Sequence, residues 1–247
     1  MITKVITTFS IDGYELYGQR MVNTWLQYWP SDIQLTVYTE GFNLVEKDPR
    51  LKEIDINEAC PELKIFKERS QSFIDPKNKK TKSRVAKAIR WSHKIYAMSH
   101  ALSQSCDYLM FFDGDTYSKA PVPSNIAQQL VQDHLFAVHF EVLQGMSHFE
   151  TGLISFNMRH KQMPLFRSEL QKGYDNLEIH RLPKPWDGFW LAFLTMKYNL
   201  DVLDLAKNTS GVFSNPLVRS ILAHDAGKDK FRNSSIEYDK YSGRKKQ

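Results

Sequence analysis

Residues 1–40 limit the fold more than any other part of the chain. "KVITTFS" (residues 4–10) is rich in β-branched and aromatic residues and reads as a strand. Asp12-Gly13 breaks it. "YELYGQRMVNTWLQYW" (14–29) then sets Leu16, Met21, Trp25, Leu26 and Trp29 at helical spacing, and Pro30 ends the helix. "IQLTVYTE" (33–40) is a second strand. Strand, helix and strand in so short a span make a βαβ unit, so a parallel sheet is expected.

The rest of the chain extends that plan. Residues 41–70 are mixed, with a short helix at Pro61–Arg69. "DPKNKKTKSR" (75–84) has no apolar anchor and reads as a mobile loop. From Val85 the apolar stripe Val85, Ala88, Ile89, Ile95, Tyr96 and Leu102 marks a helix, with Lys87, Arg90 and Lys94 on another face. "DYLMFF" (107–112), "HLFAVHF" (134–140) and "TGLISFNM" (151–158) are strands, and Ser124-Asn125 caps a short helix to Val131. "HKQMPLFRSELQKG" (160–173) is a helix interrupted at Pro164 and stopped by Gly173. "WDGFWLAFLTMKY" (186–198) is an aromatic helix, "LDVLDL" (200–205) is the last strand, and residues from Ser210 onward read as loop. With 247 residues and 42% hydrophobic content there is enough material for one sizeable core. The expectation is a single α/β domain over 1–247, in two halves (1–120 and 121–232) followed by a basic tail (233–247).

The net charge of +5 suits phosphate-bearing small molecules, nucleic acid or an anionic surface without choosing among them. Cys60 and Cys106 lack metal-ligand spacing and read as free thiols in a reducing compartment. No signal-peptide pattern opens the chain and no stretch approaches the roughly 18 apolar residues of a spanning helix, so the protein is expected to be cytoplasmic.

The chemistry concentrates where "DYLMFF" runs into Asp113-Gly114-Asp115. A turn accounts for such a triplet, with Gly114 supplying a permissive backbone. Ligands of parallel α/β sheets, however, bind at the carboxyl ends of strands, and this pair lies at such an end. Two carboxylates two residues apart in extended chain point the same way and call for a cation. A hard divalent ion, Mn²⁺ or Mg²⁺, shared with substrate phosphates meets that need.

A strand ending in Asp113-Gly114-Asp115 after a βαβ start resembles the DxD motif of the GT-A fold glycosyltransferases. "HDAGKDKF" (224–231) resembles the H-x-x-G-x-x-K signature of the glycogenin-like, family 8 group. "FETGLISFN" (149–157) resembles that group's N-S-G-V-x-x-x-N strand, with Glu150 and Thr151 replacing Asn and Ser; the pattern's Pro-Trp after the lysine is Phe231-Arg232 here. The helix with Arg90 and Lys94 resembles the nucleotide-contacting helix of the group. The resemblance runs from residue 3 to about 232 and implies a GT-A fold, with a mostly parallel central sheet flanked by helices. It also implies transfer of a sugar from a nucleoside-diphosphate sugar, a UDP-sugar, to a glycan or other hydroxyl-bearing acceptor. Asp113 and Asp115 would bind the metal, Asp113 also the donor ribose, and His224 would be a third ligand. Lys230, with Lys228 as rival, would contact the diphosphate, and Gly227 would let the backbone approach it. Arg90 and Lys94 would neutralise the donor, and Thr8, Phe9 and Ser10 would line the nucleoside pocket.

Asp187 in "KPWDGFW" (184–190) has two readings: a helix cap, or the base that takes the acceptor's proton beside a Trp186 sugar platform. Glu150 is the second candidate, as base or as sugar binder. The basic tract at 75–84 is either a solvated loop, a lid over donor phosphates, or a contact for an anionic acceptor. The competing class is a nucleic-acid-binding protein using that tract, the Lys87/Arg90/Lys94 face and the "GRKKQ" end. It leaves the acidic pair unexplained. A transferase acting on nucleic acid combines the two. A metal-dependent nucleotidyltransferase calls for a further carboxylate and a glycine-rich phosphate loop that the chain does not display.

Overall fold

The computed structural model describes residues 1–143, 145–207 and 211–224. The chain opens with β1 (Thr3–Phe9). A helical run follows, made of α1 (Ile11–Gly13), a π-turn at Tyr14–Gly18 and α2 (Gln19–Tyr28), and it leads to β2 (Gln34–Thr39). Next come β3 (Leu51–Asp55), α3 (Ile56–Ala59), α4 (Pro61–Ser70), α5 (Lys79–Leu102), β4 (Tyr108–Phe112), β5 (Thr116–Ser118) and α6 (Ile126–Val131). The second half holds β6 (Phe136–Leu143), β7 (Met146–Asn157), α7 (Met163–Leu170), α8 (Lys172–Asp175), α9 (Asp187–Tyr198), β8 (Val202–Asp204), α10 (Pro216–Ile221) and β9 (Leu222–His224).

Among the described residues, seven strands form one sheet in the order β3-β2-β1-β4-β7-β6-β8. The first four run parallel; β7 opposes both β4 and β6, and β8 runs parallel to β6. The expected mostly parallel sheet with flanking helices is present. Alternation along the strands divides the core in two. Ile6, Leu109 and Phe111 face the layer of α4, α5, α7 and α9. Val5, Met110 and Phe112 face Met21, Val22 and Trp25 of α2, together with α6 and α10. β5 and β9 pair separately as a short antiparallel ribbon.

Several local expectations change. The tract expected as a mobile loop is helical from Lys79: the Asn78 side chain accepts from Lys80 N–H and starts α5 six residues before the apolar stripe begins. Arg84 holds this segment down by donating to the carbonyl oxygens of His180, Leu182 and Pro183. Pro164 does not interrupt α7 but lies in its first turn, where a missing N–H costs nothing. Gly173 does not stop the chain's helical course; it sits inside α8, against Trp190. "LDVLDL" is not the last strand, because α10 and β9 follow within the region expected to be loop. No helix among the described residues is long and apolar enough to cross a membrane, and Cys60 and Cys106 are free thiols.

Candidate functional site

The carboxyl ends of β1, β2 and β4 open onto a cavity of about 510 Å³. Thr8, Phe9 and Ser10 line it from β1, Tyr38 and Glu40 from β2, and Asp113, Gly114 and Asp115 from β4. Tyr17 of the π-turn and Arg90, Trp91, His93 and Lys94 of α5 close it. The volume lies within the ordinary range for small-ligand sites.

Asp113-Gly114-Asp115 is a turn as well as a pair of acids. Asp113 N–H donates to Gly152 O at 2.9 Å, which fixes the end of β4 against β7, and Thr116 N–H donates back to Asp113 O at 2.9 Å. Gly114 is required for space: it is not among the residues of positive φ. A Cβ built there falls 2.4 Å from the Phe9 ring. The turn delivers the chain to β5, which pairs with β9 so that Thr116 faces His224. His224 Nε2 thereby lies 3.1 Å from Asp115 Oδ1, and its ring stacks on Phe213 at 5.0 Å and 7°.

Lys94 stands at the centre. Its Nζ is 2.5 Å from Asp113 Oδ1 and 3.4 Å from Asp187 Oδ2. It also donates to Thr151 Oγ1 at 3.4 Å, and the Thr151 hydroxyl donates in turn to Asp187 Oδ2 at 2.6 Å. Burial by itself would lower the ammonium's pKa, but Asp113 and Asp187 outweigh it and hold the pKa well above its ordinary value. Lys94 is thus held as a buried cation between Asp113 and Asp187, while burial pushes the Asp113 carboxyl above its usual range. Lys94 points inward because Ser92 to Met98 pack between sheet and helices, all buried except His93.

Asp187 is not the cap of α9. Trp186 holds that position and makes no side-chain capping bond, while Asp187 is the first helical residue and is 3% exposed. Gly188 permits this: a Cβ there would lie 2.0 Å from Phe149 O, so the start of α9 rests on the backbone of β7. Glu150 lies next door, its Oε1 accepting from Gly152 N–H at 2.8 Å. Burial first, and Asp113 second, push its carboxyl above the usual range.

The fold thus brings together Thr8, Phe9, Ser10, Arg90, Lys94, Asp113 and Asp115 around one cavity, with Asp187 and His224 adjoining it through Lys94 and Asp115, and Glu150 through Gly152, which also bonds Asp113. Gly227, Lys228 and Lys230 lie outside the described residues. Among the described residues, no three His, Cys, Asp or Glu side chains are placed to hold a metal ion. Asp113 Oδ1 is engaged by Lys94, whereas Asp115 and His224 present an oxygen and a nitrogen donor side by side. That donor pair fits a hard divalent ion whose remaining ligands are substrate phosphates and water.

Two residues not foreseen as part of the site, Glu40 and His93, also line the cavity. Glu40 Oε1 lies 2.5 Å from Lys67 Nζ and 3.2 Å from His93 Nε2. The His93 hydrogen bond, joined by Lys67 and opposed by burial, draws the Glu40 carboxyl down to about 2. Burial and the charges of Asp115 and Asp113 push the Tyr17 hydroxyl up to about 12. Glu40 ends β2 as Asp113 ends β4, and that strand-end position was the available signal.

No family model matches the chain, and no curated protein matches it in sequence. The architecture is nevertheless shared with solved structures. Mouse xyloside xylosyltransferase 1 superposes with a TM-score of 0.54 at 10% identity, over 83% of this chain and 86% of that one.

The fold is GT-A.

An active-site mutant of LgtC gives a TM-score of 0.52 at 12% identity, over 97% of this chain and 99% of that one. The WbbM bifunctional glycosyltransferase gives 0.52 at 13% identity, over 98% of this chain but 51% of its own length. At these identities the likeness is one of fold.

Proposed function

We propose that the chain is a glycosyltransferase that takes its sugar from a nucleoside-diphosphate sugar, a UDP-sugar, with Mn²⁺ or Mg²⁺ as cofactor. The observation that carries the reading is the meeting of Asp113, Lys94 and Asp187 beside the cavity, at the carboxyl ends of the strands. This is where ligands of such sheets bind. Two of the fold neighbours, xyloside xylosyltransferase 1 and WbbM, are named glycosyltransferases, which favours it over a nucleic-acid-binding protein.

Asp115 and His224 would hold the ion together with substrate phosphates and water, and when bound it would supply positive charge to the departing diphosphate. Thr8 to Ser10 and Tyr38 would enclose the nucleoside, and Arg90 would face the phosphates. Lys228 and Lys230, with Gly227, would complete the phosphate contacts. Asp187 is held by Lys94 and Thr151, so its work is to keep Lys94 in place. Glu150, raised in proton affinity and adjoining Asp113, is the better placed group to take the acceptor's hydroxyl proton.

Calorimetric titration of UDP with and without Mn²⁺, for wild type and Asp115→Ala, tests the reading. Metal-dependent binding that disappears in Asp115→Ala is expected. Failure of UDP and GDP to bind in the presence of metal would remove the donor assignment, and UDP binding indifferent to both metal and mutation would remove the cofactor.

A further inference from the structure

α5 carries no acidic residue, and its charge runs one way along its length. Lys80, Lys87, Arg90 and Lys94 recur at spacings of seven, three and four, which keeps them along one side of the helix. The inner end of this row is neutralised, since Lys94 lies on Asp113 and Asp187. Arg90 lines the cavity. Lys87 is exposed and has no carboxylate partner among the described residues, and the same holds for half-buried Lys184 on the segment opposite.

Those two lysines share one neighbour. Lys87 Nζ is 5.8 Å and Lys184 Nζ 6.0 Å from the centre of the Trp186 ring. Both distances are at the outer limit of a cation–π contact, so neither ammonium is consumed by it. Trp186 is itself firmly seated: it packs edge-on against Phe189 at 5.8 Å, and Phe189 stacks on His148 at 5.0 Å. The Arg84 bonds to the three carbonyls at 180–183 anchor the segment leading to it. Trp186 immediately precedes Asp187, so this half-buried indole is tied through the chain to the acidic site.

We propose that Trp186, Lys87 and Lys184 form the acceptor subsite, and that the acceptor is a sugar carrying a negatively charged group. The indole supplies a flat apolar face for a sugar ring. The two ammoniums supply a site for a phosphate or carboxylate borne by that sugar. A neutral glycan would leave both lysines without a counterion, and an anion without a ring would leave the indole uncovered. The assignment rests on the glycosyltransferase reading and specifies the class of its second substrate.

The test is binding of glucose, glucuronate, glucose 6-phosphate and inorganic phosphate by calorimetry. Each is titrated with saturating UDP and Mn²⁺ so that donor-phosphate contacts are filled, and again without them. Wild type is expected to bind glucose 6-phosphate or glucuronate at least tenfold more tightly than either glucose or phosphate. The ranking of the two charged sugars tells phosphate from carboxylate. Lys87→Gln/Lys184→Gln is expected to lose the preference for charge, while UDP affinity and melting temperature stay at the wild-type values. Trp186→Leu is expected to lose the preference for sugar over inorganic phosphate. Equal binding of glucose and its charged relatives, no binding of any of them, or a preference that survives in the double-lysine variant would overturn the proposal. If UDP fails to bind while the charged sugars still show the lysine-dependent preference, the donor reading falls and the subsite stands.

Discussion

Two ion clusters face the same cavity and are near mirror images. In one a single cation, Lys94, is held by two carboxylates, Asp113 and Asp187. In the other a single carboxylate, Glu40, is held by two basic groups, Lys67 and His93. The side chains of Lys94 and Asp187 are 9% and 5% exposed, whereas Glu40 and Lys67 are 34% and 24% exposed. Attraction per pair is of the same kind in both. The difference lies in what happens when a partner is removed: water can reach Glu40, but it cannot readily reach Asp187. The first cluster is therefore rigid and intolerant, and the second adjustable.

The largest expected effect is at Lys94. Lys94→Met leaves Asp113 and Asp187 facing each other without a cation and should cost about 3–5 kcal/mol in urea unfolding. Adding Asp187→Leu to it should recover part of that loss. A single-variant cost below about 1 kcal/mol would mean that the two clusters do not differ in kind. Next comes Asp187→Asn, which weakens the hold on Lys94 while leaving an oxygen for Thr151. It should cost about 1–3 kcal/mol and lower transfer activity, read in the same melts and in a donor-hydrolysis assay.

Glu40→Gln should cost only about 1 kcal/mol or less, since its exposure screens the pair. Its pH signature is the sharper readout. The Glu40 carboxyl falls from 4.5 to about 2 on folding, so its contribution is complete above pH 4.5 and disappears as the pH drops through about 2. The variant's stability profile should therefore converge on that of wild type across this window. The smallest change is Lys67→Met, about 0.2–1 kcal/mol at low ionic strength and vanishing in 1 M salt. A loss that persists in high salt would show the second cluster to be as sheltered as the first.

Much of this architecture was legible in the sequence, and the exceptions have physical causes. β1, β2 and β4 announced themselves because buried parallel strands need near-continuous apolar runs, and "VITTF" and "YLMFF" supply them. β3 did not, because "LKEID" is a sheet edge with only partial burial. β5 and β9 are three residues each and depend on each other across more than a hundred positions, which no local pattern encodes. The site divides the same way. Asp113 and Asp115 were visible as a strand-end pair and Lys94 as a cation of the same site, but the joining of Lys94 to Asp113 and Asp187 was not, because helix spacing says nothing of which carboxylates a lysine reaches across the fold. Asp187 left a cap and a catalytic base equally open from its place before a helix; its burial and its contacts with Lys94 and Thr151 remove the cap.

The first turn of α5 contains Lys79, Lys80 and Lys82 and no acidic residue. A helix start has partial positive charge of its own, so these side chains oppose the backbone they stand on. The helix is held there by the Asn78 cap and the Arg84 contacts against its own electrostatics. The opening turn should therefore let its amides exchange faster than the packed stretch from Ser92 to Met98, so one helix holds a weak start and a firm middle.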